Sequence, residues 1–141
     1  MVRELSYHHK WRFRDEIILA YPEIDSRVVN SAINFWNNAN RRGARYGIER
    51  MALADIIYIL KTRVLKCEYC GVDLKVYEDN HPMQQYPDAL TFEHRRAMAL
   101  GGKNTIENIM LCCHQCNDRK NWGETRELEE LRKNGVVTLR L

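Results

Sequence analysis

No run of apolar residues in this 141-residue chain approaches the length needed to cross a membrane. The two longest candidates, IILAY at 17–21 and DIIYIL at 55–60, are stopped by Pro22 and Lys61, far short of the roughly 20 residues that span a bilayer. Nor does a long apolar segment follow the basic opening MVRELSYHHKWRFRDE. A secretory signal and a membrane partner are therefore not expected, and a cytoplasmic setting is. In such a reducing compartment the five cysteines should not be read as disulfides. A large net charge is missing as well, since 22 Lys and Arg against 19 Asp and Glu leave only +3. The length suits one domain with at most a small annex and a modest core.

What charge there is lies unevenly. Between Arg27 and Lys66 stand eight basic residues, Arg27, Arg41, Arg42, Arg45, Arg50, Lys61, Arg63 and Lys66, against only Glu49 and Asp55. A basic segment of this kind suits a phosphate backbone, although a solvated helix face has the same composition.

Hydrophobic periodicity predicts three helices before residue 66. The first lies within Trp11–Tyr21, with Phe13, Ile17 and Leu19 or Ala20 facing inward, and ends before Pro22. Asp25 or Ser26 caps the second, in which Val28, Val29, Ala32, Ile33, Trp36 and Ala39 recur at helical spacing and Gly43 supplies the stop. Its other face carries Asn30, Asn34, Asn37 and Asn38, then Arg41, Arg42 and Arg45, groups able to bond bases and phosphates. The third spans about Met51–Thr62, with Leu53, Ile56, Ile57 and Leu60 in the core. The segment 72–89, which contains His81, reads as a short hairpin or an irregular loop. Further on, Leu90–His94 and Asn108–Cys112 read as strands joined through Gly101-Gly102. A helix from about His114 should carry Asn117 and Lys120 inward with Trp122 packed behind. After Gly123 a last helix, Thr125–Lys133, buries Leu128 and Leu131, with Gly135 just past its end, and the tail VVTLRL could add an edge strand.

The cysteines are the sharpest local signal. Cys67-x-x-Cys70 and Cys113-x-x-Cys116 are two knuckles separated by 42 residues, each able to present two thiolates to one tetrahedral zinc. The separation demands a structured insert, and Cys112 is left over, so its replacement by Ser should be mild. A redox dithiol is the rival reading, but it requires two such motifs by coincidence.

Around the second knuckle, LTFEHRRAMALGGKNTIENIMLCCHQCNDRKN (90–121) sets Glu93-His94, Gly101-Gly102, Asn108 and Cys113-x-x-Cys116-Asn117 in one stretch. This order resembles the HNH endonuclease family, whose ββα-metal motif runs acid-His, Gly-Gly, Asn, Cys-x-x-Cys-(His/Asn). The likeness covers Cys67 to about Lys120, and the Cys67-Glu68-Tyr69-Cys70-Gly71 knuckle is similar to the region upstream of the motif in phage-type members. It implies an α+β fold with a zinc-braced ββα-metal core at 67–123, after a helical basic segment at 1–66 and before a C-terminal helix and tail at 124–141.

The resemblance also implies a division of labour. Zinc on Cys67, Cys70, Cys113 and Cys116 would be structural, because four protein ligands leave no position for water. Glu93 and Asn117 would hold a catalytic Mg²⁺ or Mn²⁺, both offering hard oxygen ligands. His94 would be the general base, suited by an imidazole pKa of about 6.5. Asn108 would tie the loop and keep the histidine oriented. Asn117 in place of a final histidine makes this the H-N-N variant. Most relatives have Asp at the position of Glu93, and many a Pro shortly after the histidine, where this chain has Arg95-Arg96-Ala97-Met98. Arg41, Arg42, Arg45, Arg95, Arg96 and Lys120 are the expected contacts to DNA, most readily double-stranded, with a homodimer among the expected assemblies. The expected activity is metal-dependent hydrolysis of DNA phosphodiesters, leaving 5′-phosphate and 3′-hydroxyl ends. The alternative is a catalytically silent zinc module that binds DNA or RNA.

Overall fold

Asp25 starts the helix around which the protein is built: its carboxylate accepts the Arg27 N–H at 2.8 Å, and its carbonyl accepts from Val28 at 2.9 Å. From there α2 (Ser26–Gly43) runs 18 residues and buries Val28, Val29, Ala32, Ile33, Trp36 and Ala39, the inward set expected from the periodicity. Each of the larger apolar side chains contributes about 1.5–3 kcal/mol when fully buried, so this stripe fixes the helix against its neighbours. The chain is described by a computed structural model over residues 7–77 and 86–134. His81, Gly135 and the VVTLRL tail lie outside the described residues.

Gly43 is the last residue of α2, as expected, but it is not a left-handed stop. Its φ of −61° is still right-handed, a short 3₁₀ turn follows at Ala44–Tyr46, and the left-handed stop is Gly47 at φ 67°. What requires glycine at 43 is a close approach, since a Cβ there would lie 2.8 Å from Asn104 Nδ2.

Helix α1 (Tyr7–Ala20) packs on α2 through buried Ile17 and partly buried Phe13 and Ile18. Phe13 meets Trp36 edge to face at 6.2 Å. Leu19, expected inward, is 82 % exposed, and Ala20 is exposed as well. At about 100° per residue Leu19 lies roughly 200° round the helix from Ile17 and so faces away, while Ala20, on the near side, is the last residue of the helix.

Helix α3 (Leu53–Thr62) buries Ile56 and Ile59, with Leu53, Ile57 and Leu60 packed against the same core. Its entry is held by a buried clamp. Asn40 accepts the Met51 N–H at 2.7 Å and donates to the Met51 carbonyl at 3.1 Å, and Trp36 Nε1 donates to the same carbonyl at 2.8 Å. These bonds satisfy backbone groups that would otherwise be buried at a cost.

Strands β1 (Leu90–His94) and β2 (Ile109–Cys113) pair antiparallel, with Phe92 opposite Leu111 and His94 opposite Ile109. Alternation along β1 sends Leu90, Phe92 and His94 into the buried face, where Phe35 of α2 stacks on Phe92 at 6.0 Å. Every residue of β2 is buried, and one apolar cluster joins α1, α2, α3, both strands and Cys67.

Helix α4 (His114–Lys133) is continuous through Gly123, so the expected break there is absent. A Cβ at Gly123 would meet nothing within 4 Å. Within a helix one glycine costs only about 1 kcal/mol relative to alanine. Trp122, expected to pack behind the site, is 74 % exposed, whereas Leu128 and Leu131 are half-buried. The architecture is thus α+β, helices around a small two-stranded antiparallel sheet. Among the described residues no helix is long and apolar enough to cross a membrane.

Candidate functional site

Two sites adjoin on the hairpin. The first is a sulfur cluster: the thiol sulfurs of Cys67, Cys70, Cys113 and Cys116 all lie within 4.8 Å of one another. Cys70 Sγ and Cys113 Sγ are 3.8 Å apart, and tetrahedral zinc with bonds near 2.3 Å requires sulfurs about 3.8 Å apart. Each knuckle is formed locally. Cys70 N–H points at Cys67 Sγ at 3.5 Å and Cys116 N–H at Cys113 Sγ at 3.4 Å, and the first knuckle turns through Gly71 at φ 79°. Burial works to raise the Cys67 thiol, but backbone N–H groups aimed at it outweigh burial and hold it at about 6. Burial moves Cys113 and Cys116 upward, a cost that a bound divalent cation would offset. The donor set therefore fits zinc.

Cys112 faces away from this cluster. It is completely buried, its Sγ lies 3.3 Å from Thr91 Oγ1, and burial pushes its thiol up to about 11.

A charged network seats the first knuckle on the hairpin. Glu68 accepts the Leu111 N–H at 2.8 Å and pairs with Arg63 at 3.3 Å and Arg95 at 2.5 Å. Arg63 also donates to the carbonyls of Ile109 at 2.8 Å and Ile106 at 3.0 Å. Neither Arg63 nor Glu68 stands out in the sequence as a scaffold residue, because their backbone partners Ile106, Ile109 and Leu111 are 43 to 46 positions away.

The second site begins at the end of β1. Glu93 and His94 are consecutive and so leave opposite faces of the strand. Glu93 turns toward α4, where Asn117 Nδ2 donates to Glu93 Oε1 at 3.0 Å. Asn117 is buried, and its Oδ1 is a buried acceptor with no hydrogen-bond partner among the described residues. An orphaned buried oxygen costs about 1–3 kcal/mol. Glu93 and Asn117 each offer a hard oxygen of the kind Mg²⁺ or Mn²⁺ takes, although here the amide NH₂ and not Oδ1 faces the carboxylate. Burial raises the Glu93 carboxyl above its ordinary value, against the lowering pull of Lys120, the Asn117 bond and Arg42.

His94 turns the other way. It is buried, its ring centroid is 5.3 Å from that of Phe35, and its Nε2 is 2.6 Å from Asn104 Oδ1. Burial lowers its pKa below the ordinary imidazole value, the Asn104 bond works upward, and the positive charges of Arg42 and Lys120 lower it further. These effects together favour the neutral ring.

Asn108 is placed to join the two ends of the loop between the strands. Its Oδ1 accepts the Arg96 N–H at 2.9 Å, and its Nδ2 donates to the carbonyls of Arg96 at 3.1 Å and Lys103 at 2.8 Å. It makes no hydrogen bond to His94; the side chain bonded to the imidazole is Asn104, four residues earlier.

The basic residues divide. Arg41 and Arg42 at the end of α2 and Arg45 in the 3₁₀ turn after it are exposed, and Arg42 acts electrostatically on both Glu93 and His94. Arg95 is tied to Glu68 and to the Glu107 carbonyl, and Arg96 forms a two-pronged pair with Glu127 at 2.9 and 3.0 Å. Lys120 keeps only 7 % of its side chain exposed and pairs with Glu124, whose other oxygen accepts the Ala97 N–H at 2.7 Å. In this structure those three cations serve first as internal ties.

A family model for the HNH endonuclease matches residues 67–122, the stretch that holds both sites. No curated protein and no solved structure gives a significant match to the chain. Residues 67–122, with their two-stranded sheet, following helix and four-cysteine cluster, are by this match an HNH endonuclease domain.

Proposed function

We propose that this chain is a divalent-metal-dependent endonuclease that hydrolyses phosphodiester bonds of double-stranded DNA. The observation that carries the reading is the buried Asn117 amide, whose NH₂ bonds Glu93 while its Oδ1 has no partner among the described residues, next to the buried His94 that follows Glu93. A catalytically silent zinc module has no need of an orphaned oxygen next to a carboxylate, and each costs stability.

In this reading Glu93 and Asn117 hold Mg²⁺ or Mn²⁺, which when bound supplies positive charge to the phosphoryl oxygens and the departing 3′ oxygen. His94 accepts a proton from the water that attacks phosphorus in line. Departure of the 3′ oxygen leaves 5′-phosphate and 3′-hydroxyl ends. Asn108 keeps the loop closed behind the base. The zinc on the four cysteines braces the hairpin, because a two-stranded sheet alone is marginal in water. Residues 1–66 act as a DNA-contacting annex, with exposed Arg41, Arg42 and Arg45 on the backbone.

The test is incubation of the zinc-loaded protein with supercoiled plasmid, with and without added Mn²⁺. Cleavage that appears with Mn²⁺ and stops on its removal supports the proposal, and nicked against linear product bears on whether two copies act together. No cleavage under any divalent ion, with DNA still bound, moves the assignment to the silent binding module.

A further inference from the structure

Asn104 follows the double glycine in a loop, and the sequence alone marks it as no more than a turn residue. The structure buries it to 5 % exposure and uses both ends of its amide. Nδ2 donates to the carbonyl of Ala39 on α2 at 3.2 Å, and Oδ1 faces His94 Nε2 at 2.6 Å.

The amide can stand only one way round. The Ala39 carbonyl is purely an acceptor, so the group facing it must be the NH₂, and the oxygen must then face the histidine. An oxygen facing Nε2 requires Nε2 to carry the hydrogen. The lone pair of the neutral ring is thereby assigned to Nδ1, which has no hydrogen-bond partner among the described residues. Three positions of α2 one turn apart complete the support: Phe35 packs its ring against the imidazole, Ala39 holds the amide, and Gly43 leaves the room the amide needs, since a Cβ there would lie 2.8 Å from Nδ2.

We propose that Asn104, backed by this face of α2, is the positioning residue of His94: it fixes the ring's orientation and its Nε2–H tautomer, so that Nδ1 is the atom that takes the proton. The inference rests on the nuclease reading for its consequence but not for its geometry. It also makes a helix outside the matched residues 67–122 a working part of the site.

The test uses ¹⁵N-histidine-labelled, zinc-loaded full chain, with His94 assigned by the resonance missing from His94→Gln. The wild type should show His94 as a single Nε2–H tautomer with a proton slow to exchange. A wild-type Nδ1–H tautomer overturns the proposal without any variant. Asn104→Leu, of similar size but without acceptor or donor, should lose the protected Nε2–H signal and lower kcat by about 10²-fold, the order expected for a misplaced reacting group. Zinc content and KM for DNA should stay unchanged. Asn104→Asp, which keeps the acceptor but loses the N–H toward the Ala39 carbonyl, should restore the Nε2–H signal and only part of kcat. Retention of the protected signal in Asn104→Leu overturns the positioning role whatever happens to cleavage. Loss of the signal in a chain that never cuts DNA upholds the positioning and overturns the nuclease reading.

Discussion

The double glycine offers a discriminating perturbation, because its two members are needed for different reasons. Gly101 has a φ of 94° with open space where a Cβ would stand. Gly101→Ala should therefore cost only the left-handed strain, about 1–2 kcal/mol. At Gly102 a Cβ would lie 1.7 Å from the Arg96 carbonyl oxygen, 2.6 Å from its carbon and 2.9 Å from Asn108 Nδ2. The Arg96 carbonyl cannot swing aside freely, because Asn108 grips the N–H and the carbonyl of that residue together. Relieving the clash should break both Asn108 bonds to Arg96 and the 2.9 Å bond from Gly102 N–H to the Ala97 carbonyl. Three bonds at about 1 kcal/mol each give roughly 3 kcal/mol for Gly102→Ala. Urea unfolding of both variants at the same free zinc concentration, followed by tryptophan fluorescence, measures the two costs. Gly102→Ala within about 0.5 kcal/mol of wild type, or Gly101→Ala as the costlier change, would refute this account of the loop.

Replacing Cys67, Cys70, Cys113 or Cys116 by Ser should lower bound zinc from one per chain and unfold the protein, since binding energy at a structural zinc is folding energy. Cys112→Ser should keep its zinc and cost no more than about 1–3 kcal/mol, with Thr91 at hand for the new hydroxyl; metal analysis and circular dichroism decide both. His94→Ala should leave zinc and DNA binding intact while cleavage falls roughly 10²- to 10⁴-fold, whereas Glu93→Ala should recover partly at high Mn²⁺; recovery of His94→Ala by Mn²⁺ would count against its role as base. Because burial lowers the His94 pKa, the neutral ring persists below the ordinary imidazole value, so kcat/KM should hold as pH falls to about 6.5 and drop only below it. An acid limb above that value would contradict the burial argument. Substituting Arg41, Arg42 and Arg45 together should weaken binding to every DNA sequence and flatten its salt dependence, as fewer counterions are released; an unchanged salt slope would assign them to solvated surface.

What the sequence by itself determined here is what depends on spacing along the chain. The α2 core stripe follows from 3.6 residues per turn, the alternation of Leu90, Phe92 and His94 from the period of a strand, and each zinc knuckle from two cysteines three apart. Even the meeting of the two knuckles was legible, because four soft ligands leave few other ways to be satisfied. Tertiary structure decided whatever rests on partners distant in sequence. Asn104 and Asn108 look alike in a loop, and only the approach of α2, 65 residues before Asn104, gives the first to His94 and leaves the second to close the loop. Arg95 and Arg96 read as phosphate contacts until Glu68 and Glu127, 27 and 31 positions away, are brought beside them. Gly43 looks like a helix stop because glycine often is one; its use as a gap for the Asn104 amide exists only once the loop docks. Local periodicity fixes which face of an element turns inward, but which side chain on that face meets which partner is set by packing, where a single carbonyl can choose the orientation of an amide and through it the tautomer of a histidine.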